Sequence, residues 1–270
     1  MEAMHLRTVA ATRYVTPLRE GGSLPAIIEA DDDGMYVLKF RGAGQGPKAL
    51  IAELVAGELA RAAGLLVPEI VLVELDPELA RTEPDPEIQD LIKASAGLNL
   101  ALDYLPGSVM FDPVAEQVDA KLASMVVWFD AYVTNVDRTP RNANLLMWHR
   151  RLWLIDHGAA LYFHHNWANY MERSRAAFSL IKDHVLLAST SPESLREADS
   201  KMTERITSDI IVGIVSLVPD AWLSGEPLVS NSPFGGPAET RNAYVEYLLS
   251  RLKSSNVILE ETIRARSLSI

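Results

Sequence analysis

The 270-residue chain contains no cysteine. This absence excludes disulfides, thiolate metal sites and a cysteine nucleophile, and it is consistent with a reducing compartment. The chain also lacks a run of about 18 uncharged apolar residues, which a membrane-spanning helix needs, and its first residues, MEAMHLRTVAATRYVTP, contain no apolar core of a secretory signal. We therefore expect a cytoplasmic protein with no membrane segment.

Positive charge is scarce in this sequence. The 25 Lys and Arg residues face 36 Asp and Glu residues, which gives a formal net charge of −11. A surface of this sign repels phosphate backbones, so general nucleic-acid binding is not expected. Repeats and low-complexity tracts are also absent from the sequence. The apolar content of 48% and charged content of 23% are typical of a globular protein with a sizeable core.

The first hundred residues favour short strands, which begin at about residue 12. The strand patterns lie at residues 26–30, 35–40, 67–75 and 98–104. The first two form a hairpin pattern with Lys39 near its end. Residues 48–65 carry apolar residues at helical spacing and predict a helix. The acidic, proline-rich residues 76–92 are expected to form a surface excursion.

Helices dominate the rest of the chain. Residues 114–134 predict a helix with one buried stripe, and residues 135–161 predict a loop followed by two short strands joined by a turn. From about residue 171 onwards the sequence predicts helices only, interrupted by the Pro, Gly and Ser residues at 219–237.

The change of character lies near residues 104–108. It divides the chain into a strand-rich N-terminal part, residues 1–104, and a helix-rich C-terminal part, residues 105–270. Such segregation of strands and helices predicts an α+β fold.

Residues suited to nucleotide phosphotransfer follow one another along the chain. Binding of a nucleoside triphosphate calls for a Gly-rich turn, a lysine for the phosphates and carboxylates for the metal. Transfer of its γ-phosphoryl group further calls for a carboxylate near the acceptor hydroxyl and a second metal ligand, often an amide. The candidates, in chain order, are Gly21, Gly22, Ser23, Lys39, Glu53 or Glu58, Asp137, Asn142 and Asp156.

Two stretches carry a family resemblance. NVDRTPRNANLL (135–146), followed by WLIDHG (153–158), resembles the catalytic and metal-binding loops of the protein-kinase-like superfamily, and within it the HipA-like kinases. AELVAGELARAAGLLVPEI (52–70) is similar to the glutamate helix and following strand of that family. The resemblance covers roughly residues 15–165, and the helical tail shows no motif that matches.

The resemblance implies a two-lobed kinase-like fold and ATP- and Mg²⁺-dependent transfer to a hydroxyl acceptor. It matches Asp137 with the catalytic aspartate, Asn142 with the amide metal ligand and Asp156 with the Mg²⁺-binding aspartate. Lys39 matches the phosphate-contacting lysine, with Glu53 as its partner. The hinge that meets adenine through backbone groups corresponds to Leu102, Asp103 and Tyr104.

Two of these assignments have rivals in the sequence. A helical wheel places Glu58 in the apolar face and Glu53 to one side, so the pattern alone favours Glu58 as the buried partner of Lys39, whereas the resemblance favours Glu53. Asn144 competes with Asn142, which the spacing favours; the other asparagine is expected to satisfy loop backbone groups.

The phosphate lid and the histidines depart from the family pattern. A second Gly-rich loop, residues 42–46, competes with residues 21–23 as the lid. His157 stands where protein kinases carry Phe, and we expect it to pack behind Asp156. His164 and His165 are adjacent and lack a third ligand at metal-binding spacing, so a metal site there is not expected.

Two other functions fit the same residues. One is a nucleotide-binding pseudokinase or regulatory module that keeps the fold without turnover. The other is a small-molecule or lipid kinase with a similar core. All candidate polar groups are present, which favours the active kinase over the pseudokinase.

Overall fold

The computed structural model describes residues 5–18, 24–224 and 233–268. The N-terminal strands are β1 (Thr8–Pro17), β2 (Ala26–Ala30), β3 (Met35–Lys39), β4 (Ile70–Leu75) and β5 (Gly97–Asp103). They close into a barrel in the order β1-β2-β3-β5-β4. The β1 and β4 strands are parallel, and the other neighbours are antiparallel. Among these five described strands, closure leaves no free edge for pairing with another chain.

The barrel has its own apolar core, and a segment that the sequence marks as a surface excursion packs on it in part. Residues 76–92 were expected to be a surface excursion, but they contain a 3₁₀ helix, Pro77–Thr82, and the start of α2 (Pro86–Ala94). Ile88 and Ile92 of α2 are buried in the same cluster as the barrel interior. Their spacing of four residues places them on one helical face, while the acidic residues of α2, Glu87 and Asp90, are exposed.

One helix of the N-terminal part, α1 (Pro47–Ala62), lies against the barrel. Its Gly57 allows a close approach, because a Cβ there would lie 2.5 Å from Cδ1 of Ile70 in β4. The helix ends before Gly64, whose φ of 84° is the left-handed conformation of a helix C-terminus. Most α1 residues are buried, including Glu53.

Beyond the barrel, the chain forms a three-stranded sheet and a set of helices. The strands are β6 (Val109–Met110), β7 (Leu145–Trp148) and β8 (Arg151–Leu154), in the order β6-β7-β8. The helices are α3 (Ala120–Tyr132), α4 (Tyr170–Arg173), α5 (Pro192–Arg205), α6 (Ser208–Ser216), α7 (Asp220–Leu223), α8 (Pro237–Lys253) and α9 (Ser255–Leu268). No helix of the described residues is long and apolar enough to cross a bilayer.

The large core is shared by both parts of the chain. It contains side chains of α1 and β5 together with those of α3, α6 and α8. Polar contacts follow the same seam: the backbone N–H of Leu154 donates to the carbonyl of Leu66 at 2.8 Å, and Nε1 of Trp222 donates to the carbonyl of Leu98 at 3.1 Å. The seam therefore holds α1, and with it Glu53, in a fixed position against the helical part.

Candidate active site

Lys39, at the end of β3, lies between two carboxylates. Its Nζ donates to Oε2 of Glu53 at 2.7 Å and to Oδ1 of Asp156 at 2.5 Å. The Lys39 side chain is 12% exposed, that of Glu53 is fully buried and that of Asp156 is 41% exposed. One lysine thus joins the barrel, α1 and the loop after β8, and its open side is the side of Asp156.

The charges in this triad stabilise one another. Burial alone would lower the pKa of Lys39, but Glu53 and Asp156 outweigh it and raise the pKa above its usual value. Burial alone would raise the pKa of Glu53, but Lys39 and the hydrogen bond with His157 hold it well below its usual range. The lysine is therefore protonated and Glu53 ionised at neutral pH, which is the state that a phosphate-binding lysine requires.

His157 holds the Glu53 carboxylate from the other side. Its backbone N–H donates to Oε2 of Glu53 at 2.9 Å, and its ring Nδ1 lies 3.3 Å from Oε1. The ring is fully buried and meets the edge of Phe129. Because an ionised carboxylate accepts from both atoms, Nδ1 carries the proton. His157 therefore lies behind Asp156, as the sequence suggested, and fastens the loop to α1.

The rival glutamate has a different partner. Oε1 of Glu58 lies 3.5 Å from Nη1 of Arg61, which is three residues further along α1. Burial raises the pKa of Glu58. The structure thus brings Glu53, and not Glu58, to Lys39.

Asp137 lies in a tight loop that brings two amides onto its carboxylate. Thr139 and Asn142 exchange backbone hydrogen bonds of 3.0 Å each, which turns Asn142 back towards Asp137. Nδ2 of Asn142 donates to Oδ2 of Asp137 at 2.7 Å, and Nδ2 of Asn144 donates to the same oxygen at 3.3 Å. Asn142 is exposed and Asn144 is 4% exposed. Only Asn142 therefore presents its amide to solvent.

The metal-binding candidates have the chemistry that Mg²⁺ prefers. Mg²⁺ is held by one or two carboxylates and an amide, together with water and substrate phosphates, rather than by a complete protein cage. Asp156 offers a partly exposed carboxylate and has a left-handed φ of 55°, a sparsely populated conformation that functional sites often hold. The described residues contain no cluster of three or more His, Asp or Glu side chains placed for a metal.

The predicted hinge lies at the end of β5. The N–H of Asp103 donates to the carbonyl of Glu69 at 2.8 Å, and that of Tyr104 donates to the carbonyl of Met35 at 3.0 Å. Leu102 is buried between β3 and β4. The N–H groups of Asp103 and Tyr104 are therefore engaged within the barrel and are not free to donate to an adenine base.

The two candidate lids differ in what the structure says of them. Gly21, Gly22 and Ser23 lie outside the described residues. In the rival loop, the N–H of Gly42 donates to Oγ of Ser95 at 3.0 Å, and that of Gly46 donates to the carbonyl of Ala43 at 2.8 Å. Two backbone N–H groups of this loop are therefore already bonded to protein atoms, one inside the loop and one at Ser95.

The adjacent histidines are part of an aromatic cluster. Nδ1 of His164 lies 2.9 Å from the hydroxyl of Tyr244, and the His164 ring meets that of His165 edge-on at 4.5 Å. Burial, reinforced by the positive charges of His165 and Lys48, lowers the pKa of His164 well below its usual value. His164 is therefore a neutral core residue.

A neutral buried histidine makes stability depend on pH. The pKa of His164 is lower in the folded than in the unfolded chain, where it is about 6.5. The unfolded chain then binds more protons below that pH, so the free energy of unfolding falls as pH drops from 6.5 to 5, by at most about 1.4 kcal/mol per pH unit for one histidine. We expect His164→Gln, which keeps a polar partner for Tyr244, to reduce this slope in urea unfolding. Burial also lowers the pKa of His184 and His165, so these two histidines keep the remainder of the slope in both proteins.

The exposed His149 provides the control. His149→Gln is expected to leave the wild-type slope between pH 6.5 and 5 intact. The range above pH 5 separates this effect from carboxylates with lowered pKa, which lose their contribution in more acidic solution. Equal slopes in wild type and His164→Gln would contradict the assignment.

Sequence patterns missed two buried residues behind the loops. Asp130, on α3, and Arg138, next to Asp137, form a fully buried ion pair with Nε 2.6 Å from Oδ2. An Asp inside an otherwise apolar helical stripe, WFDAYV, was the signal that could have found them, because a buried carboxylate needs a partner.

Comparisons with known proteins agree with this architecture. The chain forms a barrel with one attached helix, followed by a helical part, and the loops of Asp137 and Asp156 lie where the two parts meet. This is the architecture of the protein-kinase-like fold. The family model for HipA-like kinases matches residues 12–256. The chain belongs to the HipA-like kinase family.

Solved structures support the fold at low sequence identity. The crystal structure of the Helicobacter pylori proinflammatory kinase CtkA aligns with a TM-score of 0.53 and 14% identity, covering 97% of this chain and 99% of that one. The Golgi casein kinase aligns with a TM-score of 0.50 and 12% identity, covering 96% and 72% of the two chains. A structure of that kinase with Mn/ADP bound aligns equally well, covering 96% and 73%. No curated protein matches the sequence.

Proposed function

We propose that this HipA-like kinase is an ATP- and Mg²⁺-dependent phosphotransferase acting on a hydroxyl acceptor. The observation that carries the proposal is Lys39, which joins the buried Glu53 to the partly exposed Asp156. This is the arrangement of a lysine that contacts nucleotide phosphates beside a metal-binding aspartate. The family supports it, and the Golgi casein kinase is known with Mn/ADP bound.

Each residue has one role in the proposed reaction. Lys39 contacts the phosphates, while Asp156 and Asn142 would hold Mg²⁺, which would neutralise charge on the phosphates. Asp137 accepts a hydrogen bond from the acceptor hydroxyl and takes up its proton as the hydroxyl oxygen bonds to the γ-phosphorus. The bond from that phosphorus to the bridging oxygen breaks, and ADP leaves. Positioning and charge neutralisation supply the rate gain.

A thermal-stability measurement with and without MgATP tests the nucleotide site. A ligand that binds only the folded state at a hundredfold excess over its Kd stabilises it by about 2.7 kcal/mol. We expect a shift of this order for wild type with ATP and Mg²⁺ together, and a much smaller shift for Asp156→Ala.

The exposed Asp90 on α2 provides the matched control, since it forms a surface pair with Lys93 at 3.5 Å. Asp90→Ala is expected to keep the full MgATP shift. No shift in wild type at millimolar ATP would refute the nucleotide site, and an undiminished shift in Asp156→Ala would remove Asp156 from it.

A further inference from the structure

A buried carboxylate lies at the centre of the polar groups beneath the site. Asp130 is fully buried on α3. Its Oδ2 accepts from Nε of Arg138 at 2.6 Å and from Nε2 of His184 at 2.9 Å, and its Oδ1 accepts from Nδ2 of Asn135 at 3.0 Å. Burial would raise the pKa of Asp130, but Arg138 and the hydrogen bond with His184 hold it well below its usual range. The carboxylate is ionised and bonded on both oxygens.

One branch of this network leads to Asp137. Because Nδ2 of Asn135 donates to Asp130, its Oδ1 points to the other side, where it accepts from the N–H of Asp137 at 3.1 Å. Asn135 is itself only 4% exposed, so bulk water does not compete for the hydrogen bonds of its amide. The backbone of the candidate catalytic residue is thus held by Asp130 through a single amide.

The second branch leads to Asp156. Nη1 of Arg138 donates to the carbonyl of Asn144 and, at 3.3 Å, to that of Ile155, the residue before Asp156. The N–H of Ile155 also donates to the carbonyl of Asn144 at 3.1 Å. Asp130 fixes the plane of this guanidinium through Nε. The buried guanidinium of Arg138 therefore contacts both the loop that follows Asp137 and the chain just before Asp156.

His184 holds Asp130 from the third side. Its Nδ1 accepts from the N–H of Leu186 at 3.0 Å, so the ring proton is on Nε2 and is donated to Asp130. The next residue, Val185, donates its N–H to the carbonyl of Arg138 at 3.1 Å. The segment 184–186 thus closes the network over both Asp130 and Arg138.

We propose that Asp130 is a positioning residue, which sets the placement of Asp137 relative to Asp156 through Asn135 and Arg138. The inference rests on the proposed phosphotransfer, because both carboxylates must address the same phosphoryl group. A displacement of about 1 Å in such a site can lower the rate about 10²-fold. Asp130 itself contacts none of the reacting groups.

The test compares turnover per nucleotide-bound molecule in Asp130→Asn and wild type. The substitution keeps the size but places an NH₂ group against donors. We expect MgATP to bind with unchanged stoichiometry and similar affinity, while kcat falls about 10²-fold. A purely structural role would lower the folded fraction and leave turnover per bound molecule unchanged, and that result would overturn the proposal.

A second pair of variants covers the case in which Asp130→Asn does not fold. His184→Leu removes one hydrogen bond to Asp130, and His184→Gln can restore it, because the Gln amide reaches the place of Nε2. We expect a fall in kcat of about tenfold for Leu and near-recovery for Gln, on the same positional argument. Equal kcat for the two variants would overturn the proposal.

Hydrogen exchange keeps this inference separate from the proposed function. Wild type without MgATP binding or turnover would refute the phosphotransferase. In that case, hydrogen exchange at the backbone amides of Asp137 and Ile155 still tests the positioning role. We expect both amides to exchange faster in His184→Leu than in His184→Gln, and the β2 amides to exchange equally in the two variants. Unchanged exchange at both amides would refute the positioning role on its own.

Discussion

Asp137→Asn is expected to abolish most turnover while nucleotide binding survives. The substitution keeps a side chain that can contact Asn142 and Asn144, but the amide cannot take up the acceptor proton. General-base groups contribute about 10² to 10⁴ in rate, so we expect a loss of at least about 10²-fold. The readout is release of ADP from MgATP, with water or the protein itself as acceptor.

Nucleotide binding by Asp137→Asn is as important to this prediction as its loss of turnover. Asp137 is placed near the acceptor and not on the nucleotide, so the MgATP stability shift is expected to remain close to wild type. Asp90→Asn, at the exposed site on α2, is the matched control and should behave as wild type in both measurements. Wild type that binds MgATP with no turnover would instead indicate a nucleotide-binding pseudokinase.

The N-terminal barrel could largely be predicted from the sequence. Strand β2 has the predicted bounds, Ala26–Ala30, and β3 ends at Lys39, one residue before the predicted end. These are short strands with turn residues on both sides, for which local pattern and tertiary structure agree. Strand β1 begins at Thr8 and was missed in part, because its burial alternates irregularly and register shifts interrupt its pairing with β2.

The glutamate shows where periodicity fails. Glu53 is fully buried although the helical wheel puts it beside the apolar face. A wheel measures the average direction of apolar residues and does not include a lysine arriving from β3 or a backbone N–H arriving from His157. The buried charge follows from these two partners, and only the family resemblance, which associates a lysine with this glutamate, selected it.

The positioning network was outside the reach of sequence motifs. Its members come from α3, the loop after it and the segment at His184, which is 54 positions from Asp130. Sequence spacing along one element cannot reveal contacts at this separation. Asp137 and Asp156 could be found because they follow a family pattern, but their fixed relation depends on Arg138, whose role becomes clear only from its buried contacts.

Lys39→Met is expected to remove activity and to cost the fold about 3 kcal/mol, because removing one partner of a buried ion pair leaves the other charge uncompensated. Here the residual charge is Glu53, which is fully buried with His157 as its remaining partner. Activity is lost because no cation then contacts the nucleotide phosphates. Urea unfolding and ADP release measure the two effects, and Lys93→Met, at an exposed surface pair, is the control for both.

The double variant Lys39→Met/Glu53→Gln separates stability from function. Gln removes the buried charge and keeps a side-chain oxygen for the N–H of His157, so we expect it to recover about 2 kcal/mol of the stability that Lys39→Met loses. Turnover should stay absent, because the phosphate contact is still missing. Recovery of stability without activity is the result expected if Lys39 contacts the nucleotide phosphates. Recovery of both would show that the lysine serves the fold alone, and the proposed phosphate contact would then be wrong.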